Sequence, residues 1–94
     1  MSLKEAYVEK LKAQLDEWSA DIDKLEAKAK NAEADLRIKY DQELQQLKAK
    51  KQEAKVKLAE LIDSSEEAWQ ELKIGGEQAW EVIRKAFEEA RKKF

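Results

Sequence analysis

The apolar residues in the first two thirds of the chain recur at helical spacing. Between residues 6 and 62 there is no Gly and no Pro, and apolar positions alternate spacings of three and four. This is the pattern of the a and d positions of a coiled coil. The seam comprises Val8, Leu11, Leu15, Trp18, Ile22 and Leu25, followed by Ala29, Ala32 and Leu36. The pattern predicts one long helix over residues 3–62, about 90 Å in length.

The last third of the chain contains an internal repeat of eleven residues. Residues 64–74 align with residues 75–85, and a partial third copy covers residues 86–94. Eleven residues make three helical turns, so each copy presents its large apolar residue at the same angle. The repeat predicts an amphipathic helix over residues 65–93 that continues through Gly75 and Gly76. Its aromatic stripe comprises Trp69, Leu72, Trp80, Ile83, Phe87 and Phe94.

The two predicted helices need a turn, for which the sequence offers two places. Ser64 and Glu67 have the spacing of a capping box, Ser-x-x-Glu, directly before the first aromatic residue of the stripe. Gly75 and Gly76 are the stronger local breakers, but the apolar stripe passes through them without a change of phase. We therefore predict the turn at Ser64 and Ser65. A turn at the glycines, or no turn, is the alternative.

Two stretches of sequence carry a resemblance to known proteins. Residues 6–11 and 15–18, with residues 68–73 before a Gly, resemble a group of small bacterial coiled-coil domain-containing proteins of unknown function. This resemblance implies a helical architecture and no assigned enzyme activity. The eleven-residue units are similar, more weakly, to those of apolipoprotein-type and desiccation-related proteins. A designed or reconstructed sequence is a further interpretation.

These elements together predict an all-α fold, with a single helical coiled-coil domain over residues 1–94. In this helical hairpin, the second helix can cover only about residues 36–62 of the first. The seam from Val8 to Leu25 would stay exposed, which is unfavourable for an isolated chain, so we expect a homo-oligomer, dimer or higher. The alternatives are one continuous helix and a monomeric three-helix bundle with a second turn near Asn31. Against that turn, residues 28–35 contain no Gly, Pro or Ser.

The composition limits the chemistry that the chain can perform. There is no His and no Cys, so the commonest general base and the usual zinc ligands are missing. The acidic residues Asp16, Glu17, Asp21 and Asp23 lie off the seam, which predicts a solvent-exposed acidic face. We therefore predict no enzyme activity, no metal and no cofactor. The 19 basic and 21 acidic residues are interleaved, without the basic face that nucleic-acid binders show.

The predicted function is structural, that of a self-associating coiled-coil scaffold or adaptor. The predicted location is cytoplasmic, because the chain lacks Cys and any apolar run long enough for a membrane span. The association seam would pair chains, and the aromatic stripe would pack on another helix or bind a protein partner. The alternative is an amphipathic membrane-surface or stress-protective protein that uses the Trp-rich helix. Against it, the polar face of that helix carries seven acids and six bases, whereas surface-binding helices have basic polar faces.

Overall fold

The computed structural model, which describes residues 2–94, contains three helices. They are α1 (Leu3–Lys30), α2 (Ala34–Asp63) and α3 (Trp69–Lys93). The Lys4 ammonium donates to the carbonyl oxygen of Ile62 over 3.0 Å, which joins the start of α1 to the end of α2. The Lys28 ammonium donates to the main-chain oxygen of Phe94, so the ends of α1 and α3 also meet. The predicted all-α class is confirmed, as a bundle of 52 × 22 × 20 Å in which α2 runs antiparallel to the other two helices.

The prediction of one helix over residues 3–62 is wrong, because the chain turns at residues 31–33. The main-chain N–H of Asn31 donates to Lys28 over 3.2 Å, and its side-chain amide donates to the carbonyl of Ala27 over 3.2 Å. Asn supports turns through such local side-chain bonds. Folding back also buries Leu25 and Ala29 of α1 in one core with the leucines of α2. That burial outweighs the helix propensity of the Ala-rich stretch. The three-helix alternative is therefore the observed arrangement.

The second turn lies at Ser64 and Ser65, as predicted. The Ser64 hydroxyl donates to the carbonyl of Leu61 and closes α2, while the Ser65 hydroxyl accepts the N–H of Ala68 over 3.1 Å. Ser65, and not the predicted Ser64, thus accepts a main-chain N–H in this turn. The helix α3 begins at Trp69, later than the predicted residue 65, and its N-cap residue Ala68 makes no side-chain capping bond. Both glycines lie inside α3, which continues through them as the repeat predicted.

The seam residues of α1 are buried within a single chain. Each retains 8% or less of its exposure, and they form one core with residues of α2 and α3. The premise that the seam from Val8 to Leu25 stays uncovered is therefore wrong, since the turn at residues 31–33 gives three helices of similar length. Of the aromatic stripe, Trp69, Trp80, Ile83 and Phe87 are buried and Phe94 is partly buried, whereas Leu72 stays 41% exposed.

Aromatic rings fill the space between α1 and α3. Trp18 stacks on Phe87, with ring centroids 5.0 Å apart and planes within 9°, and also contacts Trp80 with centroids 5.1 Å apart. Phe87 is completely buried. Removing such a ring costs about 3–5 kcal/mol, a large share of the about 5–15 kcal/mol that stabilises a typical domain. This cluster therefore makes a major contribution to holding α3 against the other helices.

Candidate interaction surface

The two most exposed large apolar side chains of the described residues lie on one surface. Leu3 is 74% exposed and Ile74 is 72% exposed. Both line a recess at the N-terminal ends of α1 and α3, together with Ala6, Tyr7 and Trp69. We call these residues the Leu3–Ile74 patch. An apolar surface rimmed by polar residues is typical of an interaction site, and here Lys10, Gln70, Lys73 and Glu77 form that rim.

The base of the Leu3–Ile74 patch is held by contacts between helices. Helical spacing places Leu3 and Tyr7 of α1 on neighbouring turns of one face. The Tyr7 ring packs against Trp69 of α3, with centroids 6.1 Å apart and planes tilted by 38°. The Lys73 ammonium lies over the Tyr7 ring, 4.9 Å from its centroid, at a distance where a cation–π attraction operates. The aromatic base is therefore anchored on both helices.

The phenol of Tyr7 is the titratable group of the patch with an altered pKa. Partial burial raises its pKa above the ordinary value, and the nearby carboxylate of Glu77 raises the pKa further. Both effects disfavour the phenolate, burial because a charge loses hydration and Glu77 because like charges repel. At neutral pH Tyr7 is therefore an uncharged, partly apolar surface.

A second recess opens beside the glycines of α3 and is lined by residues of all three helices. Its volume is about 250 Å³, and its apolar lining comes from Tyr7, Leu11, Leu61, Leu72 and Trp80 together with Gly75 and Gly76. We call it the glycine recess. Neither glycine has a positive φ, and a Cβ added at either would meet nothing within 4 Å. Within a helix each Gly costs about 1 kcal/mol relative to Ala. Contacts inside the chain therefore give no reason for Gly at these positions.

A row of α1 residues that was not among the predicted site residues fixes how α1 and α3 align. The row consists of every seventh residue, Tyr7, Gln14, Asp21 and Lys28, and each contacts α3. Gln14 accepts the indole N–H of Trp80, and the Asp21 carboxylate lies 2.7 Å from the Arg91 guanidinium. These are the positions directly before each a residue, which often select the partner helix in coiled coils. The heptad spacing of α1 could therefore have identified these residues from the sequence.

Some of the charged residues at the surface form ion pairs between helices. Arg91 also reaches Glu17 over 2.9 Å, and Lys48 of α2 binds Glu26 of α1 over 2.8 Å. The hydrogen bond from Lys48 lowers the pKa of the Glu26 carboxyl. Such exposed pairs contribute little to stability, but they tie neighbouring helices together. Within residues 2–94, no group of three or more Asp or Glu is arranged to hold a metal ion.

No protein-family model, curated protein or solved structure matches this chain. Among the helices of residues 2–94, none has both the length and the apolar character that crossing a bilayer requires. A functional proposal therefore rests on the geometry of the Leu3–Ile74 patch and of the glycine recess.

Proposed function

We propose that this protein is a non-catalytic scaffold or adaptor that self-associates through the Leu3–Ile74 patch. The observation that carries the proposal is that its two most exposed large apolar side chains share one recess with an aromatic base. Single exposed apolar residues are ordinary on protein surfaces. Two that adjoin each other over Tyr7 and Trp69 form the apolar centre and polar rim of a contact site.

The charges of the rim favour a second copy of this chain as the occupant. Lys73 and Glu77 lie one helical turn apart on α3, and both border the patch. A two-fold axis that passes between these two residues brings Lys73 of one copy near Glu77 of the other, and the reverse. This part of the rim is thus complementary to itself, and opposite charges at an interface select the partner and its orientation. Lys10 adds a positive charge to the rim outside this pair.

The size of the patch determines how strong a dimer we expect. Stable complexes bury about 800 Å² on each partner, whereas the whole surface of the described chain is 6538 Å². The Leu3–Ile74 patch is confined to one end of the bundle, so the predicted dimer is weak and depends on concentration. Because the seam of α1 is buried within one chain, the patch replaces the seam as the association surface.

The membrane-surface alternative is not favoured by the closed bundle. A helix that lies on a bilayer inserts its apolar face, but Trp69, Trp80 and Phe87 of α3 are all buried against the other helices. Lipid binding would therefore require the bundle to open. A cytoplasmic location remains part of our proposal, together with the absence of catalysis.

The proposal is tested by the molar mass of the chain in solution, measured by analytical ultracentrifugation from micromolar to millimolar concentration. The unmodified chain is expected to shift from 10.9 kDa towards twice that mass as the concentration rises. The variant Ile74→Lys should stay monomeric throughout. Its thermal stability should be unchanged, because Ile74 is largely exposed and the added Lys lies one turn from Glu71 and Glu77.

Ile38→Lys is the matched control. Ile38 is 58% exposed on α2, outside the patch, and it too has acidic residues three positions before and after it, Asp35 and Asp41. This variant should dimerise like the unmodified chain. A chain that stays monomeric at millimolar concentration, or equal effects of the two substitutions, contradicts the proposal.

A further inference from the structure

The glycine recess points to a ligand outside the chain. Gly75 is exposed and Gly76 is half-buried, both in regular helix. Neither a positive φ nor a steric conflict requires Gly there. The fold does not require Gly at either position. A helix that lacks side chains there nevertheless lets another molecule approach its backbone closely. The recess beside these glycines is the place where such an approach can happen.

The lining of the glycine recess determines the chemistry of that molecule. Its apolar lining comes from all three helices, with Leu11 from α1, Leu61 from α2 and Trp80 from α3. The charged groups around it balance in number, since Lys57 and Lys73 are matched by Glu60 and Glu71. A charged ligand would lose hydration on entering and find no net opposite charge. The balance of charges therefore favours a neutral ligand.

The size of the glycine recess and its aromatic lining narrow the class of ligand further. The recess measures about 250 Å³, more than the roughly 150 Å³ cavity that holds benzene in an engineered protein and less than the roughly 300–1,000 Å³ of sites for drug-sized ligands. The rings of Tyr7 and Trp80 border it, and aromatic rings pack favourably on one another in offset or edge-to-face geometry. We propose that the glycine recess is a binding site for a small, neutral aromatic molecule of one or two rings.

Nuclear magnetic resonance of the labelled chain tests this proposal with indole as the probe. The two glycines of the chain both line the recess, so their backbone amide signals report on it directly. Added indole should shift both signals in a saturable way, with a dissociation constant in the high-micromolar to millimolar range expected for so small a ligand. Benzoate, which is charged, should bind at least about tenfold more weakly.

Gly76→Leu tests where the probe binds. Leu favours helix more than Gly does, so the variant should fold, and its side chain should fill the recess and weaken indole binding at least about tenfold. Binding in this variant is read from the Gly75 signal and from ligand saturation transfer. Glu89→Leu adds the same side chain at an exposed position of α3 away from the recess and should bind indole normally.

Three results would overturn the proposal. The first is the absence of a saturable shift up to the solubility limit of indole, and the second is unchanged binding in Gly76→Leu. The third is read in the Ile74→Lys variant, because Gly75 adjoins Ile74 and pairing through the Leu3–Ile74 patch would itself move the Gly75 signal. If the glycine signals of that variant move with protein concentration alone, a second copy fills the recess. With pairing through the patch removed in this way, the two proposals can fail independently.

Discussion

At the scale of single residues, Tyr7 is the point where the two exposed features of the bundle meet. Its side chain lines both the Leu3–Ile74 patch and the glycine recess. It packs against Trp69 and lies under the Lys73 ammonium. The pKa of its phenol is raised by burial first and by the charge of Glu77 second. The state of this one side chain therefore affects both proposed contacts.

The raised pKa of Tyr7 predicts a loss of stability at alkaline pH. The folded chain holds the phenol proton more tightly than the unfolded chain, so the stabilising contribution is complete below the unfolded pKa of about 10. It disappears as the pH rises through the folded pKa. Urea unfolding at about pH 8 and about pH 11 should show a larger drop in the free energy of unfolding for the unmodified chain than for Tyr7→Phe.

The comparison with Tyr7→Phe removes every effect of alkaline pH that the two proteins share. Glu77→Gln provides a second control. Without that carboxylate the pKa of Tyr7 should fall part of the way back, since burial is the larger cause, and ultraviolet absorbance of the phenolate measures it. An identical pH dependence of stability in the unmodified chain and Tyr7→Phe would contradict the prediction.

At the scale of the helices, the N-terminal third of α3 can be stabilised by substitution. Gly75 and Gly76 sit in regular helix with room for a Cβ. Each Gly→Ala change should therefore raise the free energy of unfolding by about 1 kcal/mol. For a domain of this size the midpoint of thermal unfolding should rise by about 4–8 °C per substitution, as measured by circular dichroism.

The reverse change in α1 serves as the control for these substitutions. Ala20 is exposed in the middle of α1, so Ala20→Gly should lower the unfolding midpoint by a similar amount. If Gly75→Ala or Gly76→Ala destabilised the chain while Ala20→Gly behaved as expected, the space beside the glycines would be needed for internal packing. The ligand proposal would then lose its main support.

The helices also show what the sequence could predict. The constant phase of the aromatic stripe correctly predicted that α3 continues through the glycines. Ser64 and Ser65 correctly predicted the turn before α3. Both signals lie in the local sequence. The turn at residues 31–33 has no such signal apart from Asn31, since tertiary burial of Leu25 and Ala29 decides it. The candidate site escaped prediction for the same reason. Leu3 and Ile74 are far apart in sequence and become neighbours only when α1 and α3 lie parallel.

At the scale of the whole molecule, the turn at residues 31–33 changes what the chain needs from a partner. A hairpin with a helix over residues 3–62 would leave the seam of α1 in water and require a second chain to cover it. In the bundle, α2 and α3 cover that seam. Association therefore becomes a property of one end of the molecule, and the monomer is predicted to fold on its own.

Small-angle X-ray scattering distinguishes these two shapes. The bundle has a Cα radius of gyration of 15.4 Å and a longest extent of 52 Å, whereas a continuous helix over residues 3–62 would be about 90 Å long. The Ile74→Lys variant should be measured, because weak pairing would otherwise lengthen the particle. We expect a radius of gyration slightly above the Cα value, owing to side chains and hydration. A maximum dimension near the length of the continuous helix would contradict the bundle, and it would return the seam of α1 to its role as the association surface.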